Sequence, residues 1–360
     1  MTTPPVASFP GRGATLNPPN RFEPLVVAPD PDYAEFDEHG VPVVPLSPRT
    51  QFYPDATESV LAESDSPDLG HRWGLNPYRG CEHGCAYCFA RPYHEYLGWS
   101  SGLDFETKIL VKLRAPELLR AELASRRWKA EPIALSGVTD CYQPAERRFK
   151  LTRACLEVCA EFRQPVGVIT KNFLVTRDRD LLAALARHGA VRVYVSVTTL
   201  DADLAGKLEP RAARPEHRLR AIRLLTEAGI PVSVMVAPVI PGLTDHELPA
   251  ILAAAADAGA TSARYVLLRL PHAVKDVFLA WLDTHAPGKK ERVLARIKDL
   301  RGGRLYDATF GDRLRGIGIF AEQIRLLFAV AVRRTGLDRE SAPLSAAAFR
   351  RPGGVQLEML

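Results

Sequence analysis

Asn76-Pro-Tyr-Arg-Gly-Cys81-Glu-His-Gly-Cys85-Ala-Tyr-Cys88-Phe-Ala-Arg91 carries three thiols within eight residues, at C-x3-C-x2-C spacing. The run follows a strand-like segment, Gly74–Gly80, and Gly80 and Gly84 allow the sharp turns that a loop around a compact metal centre needs. Iron–sulfur clusters are held by thiolates, and a four-iron cluster normally takes four. Three leave one iron free for a substrate or cofactor. The other reading of the loop is a zinc site completed by His83 or His94, which would make the chain a non-catalytic, zinc-stabilised nucleic-acid-binding module. Structural zinc modules usually pair two short knuckles, and no second C-x2-C follows downstream.

Outward from the loop, strand-like and helical runs alternate. The strand candidates are Gly74–Gly80, Pro132–Ser136, Pro165–Thr170, Val191–Thr198, Pro231–Ala237 and Ala263–Leu268. The helical ones are Ala115–Trp128, Leu151–Phe162, Arg179–His188, Pro215–Ala228 and Asp245–Ala258, several closed by glycine, as in Ala228-Gly229. The strands are short and nearly continuous in apolar character, as parallel strands covered on both faces are. This predicts an α/β fold, a barrel or an open sheet, with its chemistry at the carboxyl ends of the strands. Cys155 and Cys159 share a helix face and read as core thiols, whereas Cys141 follows a strand in a polar turn.

The chain has 360 residues, 46% hydrophobic and 25% charged, with a formal net charge of +5 and six cysteines. Residues 1–70 hold 3 Lys and Arg against 11 Asp and Glu, and 13 of the 29 prolines; the remainder holds 44 against 31. Proline-rich, self-repelling sequence predicts little regular structure before about residue 70. The expected organisation is an acidic extension over 1–70, the α/β unit over 71–288 and a helical extension over 289–360. In that last part Ala321–Arg334 carries an apolar stripe suited to closing an incomplete barrel, and Ala342–Leu360 is expected to fray. No apolar run approaches the ~18 residues of a bilayer span, and the start lacks a secretory signal. The expectation is a soluble, cytoplasmic protein, without a membrane partner and with reduced thiols.

The cysteine loop resembles that of the radical S-adenosylmethionine enzymes, C-x3-C-x-aromatic-C, with Tyr87 as the aromatic. The span from about Arg72 to Leu270 resembles the branch that includes spore photoproduct lyase. Its supporting segments are Thr139-Asp-Cys-Tyr-Gln-Pro-Ala-Glu146, Ile169-Thr-Lys171-Asn172, Ser196-Val-Thr-Thr199, Glu209-Pro-Arg211 and Pro238-Val-Ile-Pro241-Gly242. The resemblance implies a partial TIM-type (β/α)6 barrel, one [4Fe–4S] cluster on Cys81, Cys85 and Cys88, S-adenosylmethionine, and a reductant such as flavodoxin or ferredoxin. It implies that Thr139 and Asp140 receive the methionyl amine, against a helix-capping alternative for the pair, although the usual Gly-Gly-Glu pattern is absent. Lys171 would take the carboxylate, and Ser196 and Glu209 the ribose and carboxylate. Tyr87, Phe89 and Val236–Ile240 would form an adenine slot. Gly137 stands where the lyase has its hydrogen-donating cysteine, which leaves Cys141 and Tyr142 as donor candidates. The branch also implies a nucleic-acid substrate. The basic groups that invite that reading (Arg126, Arg127, Lys129, Arg147, Arg148, Lys150, Arg211, Arg214, Arg218 and Arg220) read by default as solvated faces.

Overall fold

Six parallel strands, each followed by a helix, carry the molecule. A computed structural model of the chain describes residues 9–23, 48–68, 70–338 and 342–352. The strands are β1 (Gln51–Pro54), β2 (Leu61–Glu63), β3 (Trp73–Leu75), β4 (Tyr78–Arg79), β5 (Lys108–Val111), β6 (Ile133–Leu135), β7 (Val166–Thr170), β8 (Val191–Ser196), β9 (Val232–Val239) and β10 (Ser262–Leu267). The main sheet runs β10-β9-β8-β7-β6-β3-β2, parallel throughout except for β2, which pairs antiparallel on the outside of β3. Helices Ala115–Ala124, Leu151–Phe162, Arg179–Ala186, Pro215–Glu227, Leu248–Asp257 and Val274–His285 follow the parallel strands in turn. This is the partial (β/α)6 barrel that the sequence predicts.

The register explains the apolar runs. Leu75, Leu135, Val168, Val193 and Val232 pair in succession across five strands, and all five are buried. Gly229 and Gly259, at φ +75° and +96°, close two of the helices, where a side chain would be strained. Behind the cysteine loop, helix Val274–His285 inserts Phe278 and Trp281 into an apolar cluster with Cys85, Ala86, Tyr87, Ile240 and Leu268. Truncating a fully buried tryptophan costs about 3–5 kcal/mol, so the loop rests on a stiff base.

Three expectations change. Gly74–Gly80 is not one strand: β3 belongs to the main sheet and β4 to a second sheet of order β1-β5-β4. Pro77 has no N–H for a ladder, and the Asn76 side chain turns instead to accept from the Gly137 and Val138 amides at 2.9 and 3.1 Å. Regular structure also begins before residue 70. β1 and β2 lie there, and residues 9–23 are tied to later parts of the chain, the Gly13 and Ala14 amides donating to Glu106 and the Asn20 side-chain amide to the Glu95 carbonyl. Residues 1–8 and 24–47 of the predicted arm fall outside the described residues.

The third change is at the other end. Helix Gly318–Thr335 packs on helix Leu248–Asp257 at the β10 edge, with the Phe328 ring 4.7 Å from Tyr265. The segment expected to fray docks in part, through the Ser345 amide on Gly189 and the Arg350 amide on Phe162, both at 2.9 Å. Residues 353–360 fall outside the described residues.

Candidate active site

Parallel strands bring their carboxyl ends to one side, so the segments after β3, β6, β7, β8 and β9 meet there. The cysteine loop follows β3 and β4. Gly80 and Gly84 sit at φ +81° and +66°, the left-handed region that glycine tolerates. The loop is tied down by its backbone: Cys81 N–H donates to Phe105 at 2.9 Å and Ala86 N–H to Leu208 at 3.0 Å. Gln143 clamps its first turn around Cys81, accepting from Glu82 N–H at 2.8 Å and donating to the Gly80 carbonyl at 3.1 Å. Cys81 and Cys85 are buried and Cys88 half-buried. Burial pushes all three thiols up, and for Cys81 the nearby Asp140, Cys85 and Cys88 add to the push. Among the described residues, no three or more His, Cys, Asp and Glu side chains stand as a single-ion site would need.

A buried ionic network lies on the barrel flank of the loop. Glu209 accepts from the Tyr87 hydroxyl, from Thr198 at 2.8 Å and from the Arg218 guanidinium. Arg218 also donates to the carbonyls of Ala213 and Ser196, at 2.7 and 3.2 Å. Burial alone would raise the Glu209 carboxyl, but Arg218, Lys171 and the Tyr87 hydroxyl hold it down at about 2. Arg218, counted from sequence among the solvated basic groups, is fully buried because its fork is taken up by this carboxylate.

A second network lies on the opposite flank and uses the N-terminal arm. Gly13 and Ala14 N–H groups donate to the buried Glu106 carboxylate at 3.1 and 2.8 Å, and Arg12 donates to the Glu106 carbonyl at 3.1 Å. Glu106 in turn pairs with Arg91 at 2.5 Å. Arg91 donates to the Cys85 carbonyl at 2.8 Å and to Ser101 and Gly102 at 3.2 and 2.8 Å. A Cβ on Gly13 would lie 1.7 Å from the Gly84 carbonyl oxygen, so the arm touches the loop backbone to backbone. Neither Glu106 nor the arm was legible from sequence, since nothing in an isolated Arg-Gly-Ala or an exposed-looking Glu signals a partner about ninety positions away.

The sequence-chosen residues divide. Asp140 accepts from Thr170 and from the Lys171 amide at 2.8 and 2.7 Å, from Tyr142 N–H at 2.8 Å, and faces His83 Nδ1 at 3.4 Å. Burial alone would raise its carboxyl, yet His83, the Lys171 amide and Thr170 hold it low. A carboxylate so engaged positions its neighbours. Thr139 faces the cleft described below, its hydroxyl 3.5 Å from the Tyr78 carbonyl. Lys171 donates to the Ala237 carbonyl at 3.2 Å, lies 6.0 Å from the Tyr87 ring centre and has no carboxylate partner among the described residues. Ser196 ends β8, buried. Tyr87 is buried with its hydroxyl on Glu209, whereas Phe89 is exposed and lines the cleft.

Cys141 and Tyr142, the hydrogen-donor candidates, lie inside rather than at the surface. Both are fully buried in the main apolar core, with Tyr142 donating to Asp178 at 3.1 Å, and neither lines the cleft. The polar turn is drawn inward because Cys141 N–H donates to Ser136 Oγ at 2.6 Å and its carbonyl accepts from Thr152 at 2.5 Å. The two histidines of the zinc reading stand differently. His83 is occupied by Asp140 and by Asn172 at 3.0 Å. His94 stands between Trp99 and Phe105, its ring centre 5.1 and 5.6 Å from theirs.

A cleft of about 970 Å³ adjoins the loop, lined by Phe89, Tyr93, His94, Tyr96, Thr139, Arg269, Tyr306 and Phe310 among others. Sequence reading missed Arg269, which stands two residues beyond β10; the rule that strand-end polar residues face the site would have found it.

The Radical SAM superfamily model matches residues 75–255. An uncharacterized protein of Mycobacterium tuberculosis is 37% identical over 250 residues, covering 69% of this chain and 72% of that protein. A second uncharacterized protein, from Methanocaldococcus jannaschii, is 32% identical over 181 residues, covering 49% and 64%. Spore photoproduct lyase complexed with dinucleoside spore photoproduct superposes with a TM-score of 0.54 at 15% identity, over 79% of each chain, a likeness of fold. No helix among the described residues is long and apolar enough to cross a membrane. Domain match, fold and strand-end cysteine loop agree, and the chain belongs to the radical SAM superfamily, whose members use a [4Fe–4S] cluster and S-adenosylmethionine.

Proposed function

We propose that the chain is a radical SAM enzyme in which Cys81, Cys85 and Cys88 hold a [4Fe–4S] cluster, with S-adenosylmethionine at the strand ends beside it and the substrate in the adjoining cleft. The observation that carries this reading is the set of three neighbouring, largely buried thiols on one strand-end loop, with the Lys171 ammonium alongside. The donor set fits the group: thiolates suit iron, and burial disfavours them as bare anions.

When bound, the cluster and cofactor supply a 5′-deoxyadenosyl radical, by one-electron cleavage of the sulfonium, to take hydrogen from a substrate. The chain binds and orients. Lys171 offers its ammonium to the methionyl carboxylate, and Thr139 and Ser196 offer hydroxyls. Asp140 holds the Lys171 backbone, while Glu209 and Tyr87 lock the loop's barrel flank, so these three act as positioning residues. The electron comes from a reductant such as flavodoxin or ferredoxin.

Anaerobic reconstitution of the full chain tests the reading. Wild type is expected to be brown and to release 5′-deoxyadenosine on addition of dithionite. Cys81→Ala, Cys85→Ala or Cys88→Ala is expected to lose both. Colourless wild-type protein with stoichiometric zinc would sink the proposal. A relative from Pseudomonas phage M6, 26% identical over 202 residues, is named a radical SAM Nα-GlyT isomerase, and the lyase neighbour is bound to a dinucleoside. The dinucleoside of the lyase neighbour supports nucleic acid as a substrate class to test here; absence of DNA or RNA binding at ~50 mM salt removes it.

A further inference from the structure

The cleft has a polarity that the cluster and cofactor do not account for. Five Lys and Arg side chains line it: Arg21, Arg79, Lys112, Arg269 and Arg313. Three are spoken for. Arg21 pairs with Glu95, Arg79 with Asp55 at 2.8 Å, and Arg313 with Asp68. Arg269 has no carboxylate within salt-bridge distance and no hydrogen-bond partner among the described residues. It is half-buried, with its guanidinium carbon 4.2 Å above the centre of the Phe89 ring. A stripped guanidinium without an anion is costly to keep. Its planar fork, unlike the Lys112 ammonium, matches a carboxylate or phosphate bidentately.

The position adds to the chemistry. Phe89 directly follows Cys88, so the Arg269–Phe89 stack stands at the border between the cysteine loop and the cleft. Around it the cleft presents the rings of Tyr93, Tyr96, Tyr306 and Phe310. His94 lines the same cleft, is 1% exposed, and has neither ring nitrogen hydrogen-bonded among the described residues. Burial without partners is the condition of a group that awaits a ligand.

We propose that Arg269 is the anion clamp of the substrate cleft, receiving a carboxylate or phosphate group while the surrounding rings receive a planar or apolar body. The inference rests on the reading that this cleft holds the substrate. It assigns the substrate class as a small aromatic or heteroaromatic anion, or a larger molecule that presents one.

The test is titration calorimetry of the anaerobic, cluster-loaded full chain with phenyl phosphate, benzoate and the neutral benzyl alcohol. Wild type is expected to bind at least one of the two anions and to bind benzyl alcohol more weakly. Whichever anion binds tighter assigns the group as phosphate or carboxylate. Arg269→Gln is expected to weaken that binding roughly tenfold or more, and Arg269→Lys to recover part of it, since charge without the fork remains. Circular dichroism melting establishes that each variant is folded. Equal binding by wild type and Arg269→Gln, equal binding of anions and benzyl alcohol, or no binding of either anion would overturn the assignment. Failure of cluster assembly or cofactor cleavage is read on wild type alone and would strike the proposed function instead.

Discussion

The cysteine loop is held from two sides by networks of the same type and different origin. On the barrel flank, Arg218, Glu209, Tyr87 and Thr198 come from strand ends and the helix after β8, and every charge is paired. On the arm flank, Glu106 and Arg91 pair deep inside and Arg91 is further held by the Cys85, Ser101 and Gly102 carbonyls, but the other partners of the Glu106 carboxylate are the Gly13 and Ala14 amides, from a segment with no regular structure of its own. The barrel flank is held by its own fold; the arm flank depends on a docking event. Stability and loop geometry are therefore separable, and perturbing each flank should give different signatures.

The largest effect is expected at Arg218→Met, which strands the Glu209 carboxylate in the interior. Leaving one member of a buried pair alone costs about 3–5 kcal/mol. Urea unfolding of the whole chain should register it, and a loss below about 1 kcal/mol would mean that the pair is not sealed.

Acid separates the flanks next. Glu209 sits at about 2 in the fold against an ordinary 4.5, so its contribution is complete above pH 4.5 and is lost as pH falls towards 2. That is about 3 kcal/mol in all. His94, on the arm flank, is lowered by burial to about 4 from an ordinary 6.5. The unfolded chain takes up that proton first, so stability falls as pH drops from 6.5 to 4, again by about 3 kcal/mol at most. His94→Gln should flatten the first window and Glu209→Gln the second in a series of urea midpoints against pH. A single slope unaffected by either substitution would dissolve the distinction.

The smallest global effect is expected at Gly13→Val. The added atoms meet the Gly84 backbone, which cannot yield as a flexible side chain would. Overpacking of this kind costs about 1–3 kcal/mol, and here the arm can leave instead. Trypsin should then cut after Arg12 and Arg21 faster than in wild type, with little change in the melting of the barrel. Unchanged cleavage would mean that the arm contact is not the one that holds it.

The same contrast explains what was legible beforehand. Five of the six parallel strands and five of the six helices announce themselves because apolar periodicity and glycine stops are local signals, whereas the helix after β10, Val274–His285, was missed. The rule that polar residues after a strand cluster at one end picks out Thr139, Asp140 and Lys171, and the structure brings the latter two into contact, with the Lys171 amide donating to Asp140. Pro77 could have warned that Gly74–Gly80 is two strands, since proline seldom continues a central ladder. The arm was unreadable for a different reason: Arg12, Gly13 and Ala14 satisfy their hydrogen bonds at Glu106, and composition says nothing of a partner so far along the chain. The burial of Cys141 was not legible either, since a polar turn gives no local sign that the Ser136 hydroxyl and Thr152 draw it inward.

The backbone contact between Gly13 and Gly84 bears on how the protein is cut for study. A fragment trimmed to residues 75–255 would discard the strip that roofs the sulfur-bearing turn, and with it Arg269 and the tryptophan beneath. Such a fragment would keep every cysteine of that turn and still be a poor guide to its chemistry, because the working unit begins some sixty residues before the recognisable one.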